Sequence, residues 1–224
     1  MKSIICFAAH PDDLEFSCTG TLKKHFMDDY EIHFVILTNG ENGFKAGEME
    51  REERVRIRQQ EQREAGKMLG VNEVVFFDNR DGFLEYTEKL RADVVALIKK
   101  IRPEIIFSFD PANNSYDDIN LFHRDHRVAA QVVFDACFAA KNFWMYPGES
   151  HRVSRVYFYG CKEPDHVVDI SDVIDFKLSM LACHKSQFPD FSRVEKLIRE
   201  KISPPHGSYA HAETFRILEI EQRT

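Results

Sequence analysis

The sequence predicts an α/β fold, a Rossmann-like three-layer sandwich whose mainly parallel sheet carries helices on both faces. Three observations predict it. Short apolar runs alternate with longer segments whose apolar residues recur at helical spacing. Nearly every apolar run ends in a polar turn, as strands do at the ligand-binding edge of open α/β sheets. No internal repeat, low-complexity tract or linker breaks the alternation, so residues 1–224 are expected to form a single domain.

The first run, Ile4 to Ala9, reads as a buried strand. It stops at His10-Pro11-Asp12-Asp13, where Pro11 removes a backbone donor and stiffens the turn. Leu14, Cys18, Leu22 and Phe26 then recur at helical spacing. Glu31 to Leu37 is the second strand, ending in the turn Thr38 to Gly43. A charged segment from about Glu48 to Leu69 is rich in helix formers and closes on Gly70. Glu73 to Phe77 is the third strand, followed by the loop Asn79 to Gly82. A helix over Glu88 to Ile101 stops ahead of Pro103. Glu104 to Phe109 is the fourth strand, and Asp110 to Asn120 is a polar loop. Helix returns from His123 to Ala140, and Arg155 to Gly160 and His166 to Ile170 read as short strands. Further helices are expected over Asp172 to Cys183 and Arg193 to Ile202.

Composition narrows the function. With 43% hydrophobic residues and 19 Phe the chain is built to fold around a core. A net charge of −7 argues against nucleic acid or an acidic membrane surface as a partner, since both need a basic face. No apolar run approaches the roughly 20 residues that span a bilayer. The N-terminus lacks the apolar stretch and small-residue cleavage site of a signal peptide. The five cysteines are odd in number, widely spaced and without a Cys-x-x-Cys pair, which fits reduced, mostly buried thiols and a cytoplasmic location.

Chemistry concentrates in two clusters, each just after a strand. The first is His10, Asp12 and Asp13; the second is His123-Arg124-Asp125-His126. In a doubly wound sheet both fall on one edge. Two histidines and an aspartate, drawn from His10, Asp13 and His126, would then make a His₂-carboxylate metal site with a position left for water. Such a site suits Zn²⁺ in a hydrolase, although non-haem Fe²⁺ or another divalent metal takes the same ligands. Asp12 remains as a spare carboxylate to accept the proton of the attacking water. His123, with Asp125 near enough to orient it, is left to steady an oxyanion or protonate a leaving group. Taken singly, an Asp-rich turn also fits a helix cap and a His-x-x-His pair also fits surface polarity. The two clusters together point to a metal hydrolase.

These residues resemble the LmbE-like (PIG-L) zinc-dependent N-deacetylases. Ala9-His10-Pro11-Asp12-Asp13-Leu14-Glu15 reproduces that family's opening signature, and Thr19-Gly20-Thr21-Leu22 follows it. His123-Arg124-Asp125-His126 matches its His-x-Asp-His motif, with Arg124 where Pro is usual. Arg58-Gln59-Gln60-Glu61, Leu69-Gly70-Val71, Lys177, His184-Lys185-Ser186-Gln187-Phe188 and Ala212-Glu213-Thr214-Phe215 extend the resemblance over essentially the whole chain.

The resemblance implies one zinc per chain, bound by His10, Asp13 and His126, with Asp12 as general base. It implies that His123, supported by Asp125, stabilises the tetrahedral intermediate, and that Arg58 reaches into the substrate pocket. Asn39, at another strand end, is expected to line that pocket, while His184 occupies a position that varies in the family. The implied reaction removes the acetyl group from a small N-acetylglucosamine-containing molecule, and homo-oligomers are common in the family. Two other readings compete: a metal-dependent amidase acting on a non-sugar acyl amine, and a non-catalytic sugar- or nucleotide-binding α/β module. The second has no use for a spare carboxylate, and no glycine-rich phosphate loop supports it.

Overall fold

The computed structural model describes residues 2–44, 49–113 and 123–220. Seven strands form the sheet: β1 (Lys2–Ala8), β2 (Tyr30–Ile36), β3 (Glu73–Phe76), β4 (Ile105–Phe109), β5 (Arg155–Tyr159), β6 (His166–Asp169) and β7 (Ala212–Glu219). Their spatial order is β3-β2-β1-β4-β5-β7-β6. The first five run parallel, and β7 lies antiparallel to both β5 and β6. The order reverses between β1 and β4, where Ile4 pairs with Ile105 and Cys6 with Phe107. A crevice at the carboxyl ends of the strands opens at such a reversal.

Ile4 to Ala8 are all fully buried. Since successive strand residues point to opposite faces, this central strand is covered on both sides. Among the helices α1 (Asp13–Ser17), α2 (Thr19–His25), α3 (Arg51–Leu69), α4 (Glu88–Ile101), α5 (Arg124–Ala140), α6 (Ile174–Leu181) and α7 (Phe191–Leu197), α4 packs on α5, whereas α1, α2 and α3 gather on α6. Among the described residues no helix is long and apolar enough to cross a membrane.

The expected helix over Leu14 to Phe26 is broken at Cys18, whose φ of −143° leaves the helical region and separates α1 from α2. Strand β7 was not predicted. Its Ala-Glu-Thr-Phe-Arg-Ile-Leu-Glu sequence puts a carboxylate, Glu213, among buried positions, which masks the strand pattern. Phe215 explains its docking, because its ring stands edge-on to both Phe107 and Tyr157, which stack with centroids 4.6 Å apart. Helix α7 begins at Phe191 and passes into a turn of π-helix over Ile198–Ile202. Most of the polar loop expected over Asp110 to Asn120, and the expected helix start at Glu48, lie outside the described residues.

Candidate active site

The chain leaves β1 through Ala9 and His10 and enters α1 by a turn centred on Asp12. Asp12 has a φ of 98°, which a residue with a Cβ rarely adopts. Asp13 closes this turn on itself: its Oδ2 accepts the main-chain N–H groups of Ala9 at 3.0 Å and His10 at 2.8 Å. That leaves Oδ1 facing outward, 3.2 Å from Nε2 of His126 on the first turn of α5. The two sequence clusters therefore meet, as the strand-end argument requires.

His10 uses its two ring nitrogens on different neighbours. Nδ1 faces Asp13 Oδ2 at 3.6 Å, and Nε2 lies 3.2 Å from both Asp125 Oδ2 and Asp81 Oδ1. Burial disfavours a charged His10, but the carboxylates of Asp125, Asp13 and Asp81 outweigh it and raise its pKa well above the ordinary imidazole value. Burial would push Asp13 up; the His126 and His10 rings prevail and hold it well below the usual carboxylate range.

His123 caps α5, its Nδ1 accepting the main-chain N–H of Asp125 at 3.2 Å. The expected support of His123 by Asp125 thus runs through the main chain. The Asp125 carboxylate is committed elsewhere: it accepts Gly82 N–H at 2.7 Å and Leu84 N–H at 3.1 Å, and pairs with His10. Burial, with His10 and His126 adding to it, lowers the pKa of His123. A neutral ring whose Nδ1 accepts must carry its proton on Nε2, which makes that atom a donor.

Nitrogens of His10, His123 and His126 lie within 4.8 Å of one another, and a second triad of potential ligands joins His10 to Asp81 and Asp125. Nδ1 of His126 is buried without a hydrogen-bond partner. Converging imidazoles and an outward carboxylate oxygen fit a divalent metal, and imidazole with carboxylate is a donor set that suits Zn²⁺. The carboxylates of Asp81 and Asp125 on Nε2 of His10 are the kind of backing that a ligating imidazole commonly has.

Asp12 stands beside this group with its side chain 15% exposed. Burial raises its pKa, while Arg58 and His184 work in the opposite direction. Arg58 is 3% exposed, far from the solvated helix face its charged surroundings suggest. Its Nη2 donates to Pro11 O at 2.5 Å and lies 3.4 Å from Asp12 Oδ2, while Nε and Nη1 are buried without partners.

Asn39 does not line the site. It is fully buried, its Oδ1 accepting Glu41 N–H at 3.1 Å and its Nδ2 donating to Glu41 Oε2 at 3.3 Å. Its neighbour Gly40 has the closer role: at φ 70°, a Cβ there would meet Pro11 Cγ at 2.7 Å, so only glycine lets the Pro11 turn sit down. His184 is fully buried, with Nε2 3.5 Å from Glu15 Oε2. Sequence reasoning missed Asp81 and Gln62. Asp81 lies in a turn after β3, where Asp-Gly is ordinary turn chemistry; its only signal was its place at a strand's carboxyl end. Gln62 had no signal among the many polar residues of α3.

Residues 5–137 match the family model described as PIG-L, GlcNAc-PI de-N-acetylase. The diacetylchitobiose deacetylase of Thermococcus kodakarensis is 33% identical over 196 residues, covering 85% of this chain and 72% of that protein. A probable N-acetyl-alpha-D-glucosaminyl L-malate deacetylase 2 of Bacillus subtilis is 25% identical over 83% of both chains. Among solved structures, an N,N'-diacetylchitobiose deacetylase from Pyrococcus horikoshii shares the fold with a TM-score of 0.85 at 24% identity, over 97% of this chain and 84% of that one.

Proposed function

From membership of the PIG-L family, to which this chain belongs, we infer that it is a metal-dependent N-deacetylase, hydrolysing the acetamide of a small N-acetylglucosamine-containing molecule to acetate and an amine. One observation carries the reading: Asp13 bridges the His10 turn to His126, with the spare carboxylate of Asp12 beside them. The named activities of the relatives, on diacetylchitobiose and on a glucosaminyl malate, support the sugar class.

An amide is a weak electrophile with a poor leaving group, so both water activation and amine protonation are needed. His10, Asp13 and His126 would hold a divalent metal such as Zn²⁺, which when bound would supply Lewis-acid polarisation of the acetamide carbonyl and acidify a water towards pKa ~7. Asp12, its pKa raised by burial, accepts the proton of the attacking water. His123 donates a hydrogen bond from Nε2 to the developing oxyanion, and the proton accepted by Asp12 passes to the departing nitrogen. Arg58, whose Nη2 lies 3.4 Å from Asp12 Oδ2, is the residue assigned to meet the substrate beside the base.

The test is acetate release from a panel of N-acetylglucosamine compounds and non-sugar acetamides, with metal-free protein and after zinc is restored. Zinc-dependent release from sugars alone is expected. Release confined to non-sugar acetamides would replace the substrate class and keep the reaction. Light scattering on the pure protein checks the self-association expected for the family.

A further inference from the structure

Asp12 is held at a φ of 98°, a backbone conformation that a residue with a Cβ rarely adopts. Something must hold it there, and the peptide unit that precedes it shows what does. The carbonyl of that unit, Pro11 O, accepts Arg58 Nη2 at 2.5 Å. Its N–H, that of Asp12, donates to Gln62 Oε1 at 2.9 Å. Arg58 and Gln62 are four residues apart on α3, one above the other on the same helix face. The plane of the Pro11–Asp12 peptide is thus gripped at both ends by a single helix, and any rotation of that plane changes φ of Asp12 together with ψ of Pro11.

Gln62 is itself set from behind. It is fully buried, and its Nε2 donates to Glu15 Oε1 at 2.8 Å, while Glu15 Oε2 lies 3.5 Å from His184 Nε2. The amide orientation is unambiguous: an oxygen must face the Asp12 N–H and a donor must face the Glu15 carboxylate. Glu15 and His184 are fully buried too.

We propose that Gln62, aligned by Glu15 and acting with Arg58, is the positioning residue for the general base, clamping the Pro11–Asp12 peptide so that the Asp12 carboxylate is aimed at the attacking water. The proposal rests on the reading of Asp12 as proton acceptor. Gln62 itself touches no reacting atom. Misplacing a catalytic group by about 1 Å costs on the order of 10²-fold in rate, which sets the scale of the expected effect.

The experiment compares wild type with Gln62→Leu, Gln62→Glu and the exchanged pair Gln62→Glu/Glu15→Gln. Gln62→Leu is expected to lower kcat about 10²-fold, with KM within about threefold and zinc still bound at one per chain. Its crystal structure is expected to show φ of Asp12 relaxed to negative values. Gln62→Glu sets two buried carboxylates against each other and is expected to lose folding or turnover. The exchanged pair restores an acceptor for Asp12 N–H and a donor between the two side chains, and is expected to recover kcat to within about tenfold of wild type. Wild-type turnover in Gln62→Leu, an unchanged φ at Asp12, or an exchanged pair that folds and binds zinc without recovering would each overturn the proposal. A wild-type protein inactive on every acetamide would overturn the deacetylase reading instead, and the φ of Asp12 in Gln62→Leu would still decide the clamp.

Discussion

The Asp125 carboxylate lies 3.2 Å from Nε2 of His10, across 115 residues of chain, although Asp125 is only two residues from His123. Its two oxygens also accept the N–H groups of Gly82 and Leu84. Asp125 therefore fixes the ring of His10 and ties the loop after β3 to it. Asp125→Ala is expected to weaken zinc binding about 10–100-fold, measured by competition with a chromogenic chelator. Unchanged zinc affinity with impaired turnover would return Asp125 to a role on His123 alone.

His126→Ala removes the partner of Asp13 Oδ1. Zinc and activity are expected to disappear together, as read by metal analysis of the dialysed protein and by acetate release. Asp12→Asn leaves His10, Asp13 and His126 in place and is expected to retain one zinc per chain while turnover falls by about 10²–10⁴-fold, the usual contribution of a general base. Near-normal turnover in Asp12→Asn would remove Asp12 from proton transfer.

Metal-free protein is expected to be most stable in a window with two limbs. Burial opposes ionisation of Asp13, but His126 and His10 hold its folded pKa well below the ordinary 3.8, so its contribution is present above 3.8 and lost as pH falls through the depressed value. Burial likewise opposes charge on His10, but Asp125, Asp13 and Asp81 raise its folded pKa well above 6.5, so its contribution is full below 6.5 and lost as pH rises through the raised value. Tm of the chelator-treated protein is therefore expected to peak between about pH 4 and 6.5. Zinc takes the place of the ring proton and is expected to flatten the alkaline limb. Thermal melts across pH, with and without zinc, check both; a metal-free Tm that stays level from pH 6 to about 9 contradicts the His10 network.

Lys177 and Glu213 form a fully enclosed ion pair between α6 and β7. Glu213 also accepts the N–H groups of Gly20 at 3.1 Å and Thr21 at 2.8 Å, and Lys177 donates to Phe16 O at 2.9 Å. Lys177→Met strands a buried carboxylate and is expected to cost about 3–5 kcal/mol in urea denaturation. Adding Glu213→Gln should recover part of that loss, with kcat per folded molecule unchanged throughout. A single variant within about 1 kcal/mol of wild type would show that water reaches the pair.

Much of the molecule follows from local pattern. The alternation of short apolar runs with helical spacing determines the five parallel strands and most helices, because periodicity is a property of neighbouring residues. The two clusters at strand ends, and so the chemical types in the site, are equally legible, since a parallel sheet delivers the carboxyl ends of its strands to one edge. Tertiary structure alone decided the rest. It inserted β7 between β5 and β6, where Phe215 finds Phe107 and Tyr157 and where Lys177 neutralises the buried Glu213. It enclosed Asn39, gave the Asp125 carboxylate to His10, brought in Asp81, and set Arg58 and Gln62 on the Pro11–Asp12 peptide. These pairings join residues tens to more than a hundred positions apart, and which oxygen meets which nitrogen depends on packing angles that no local pattern encodes.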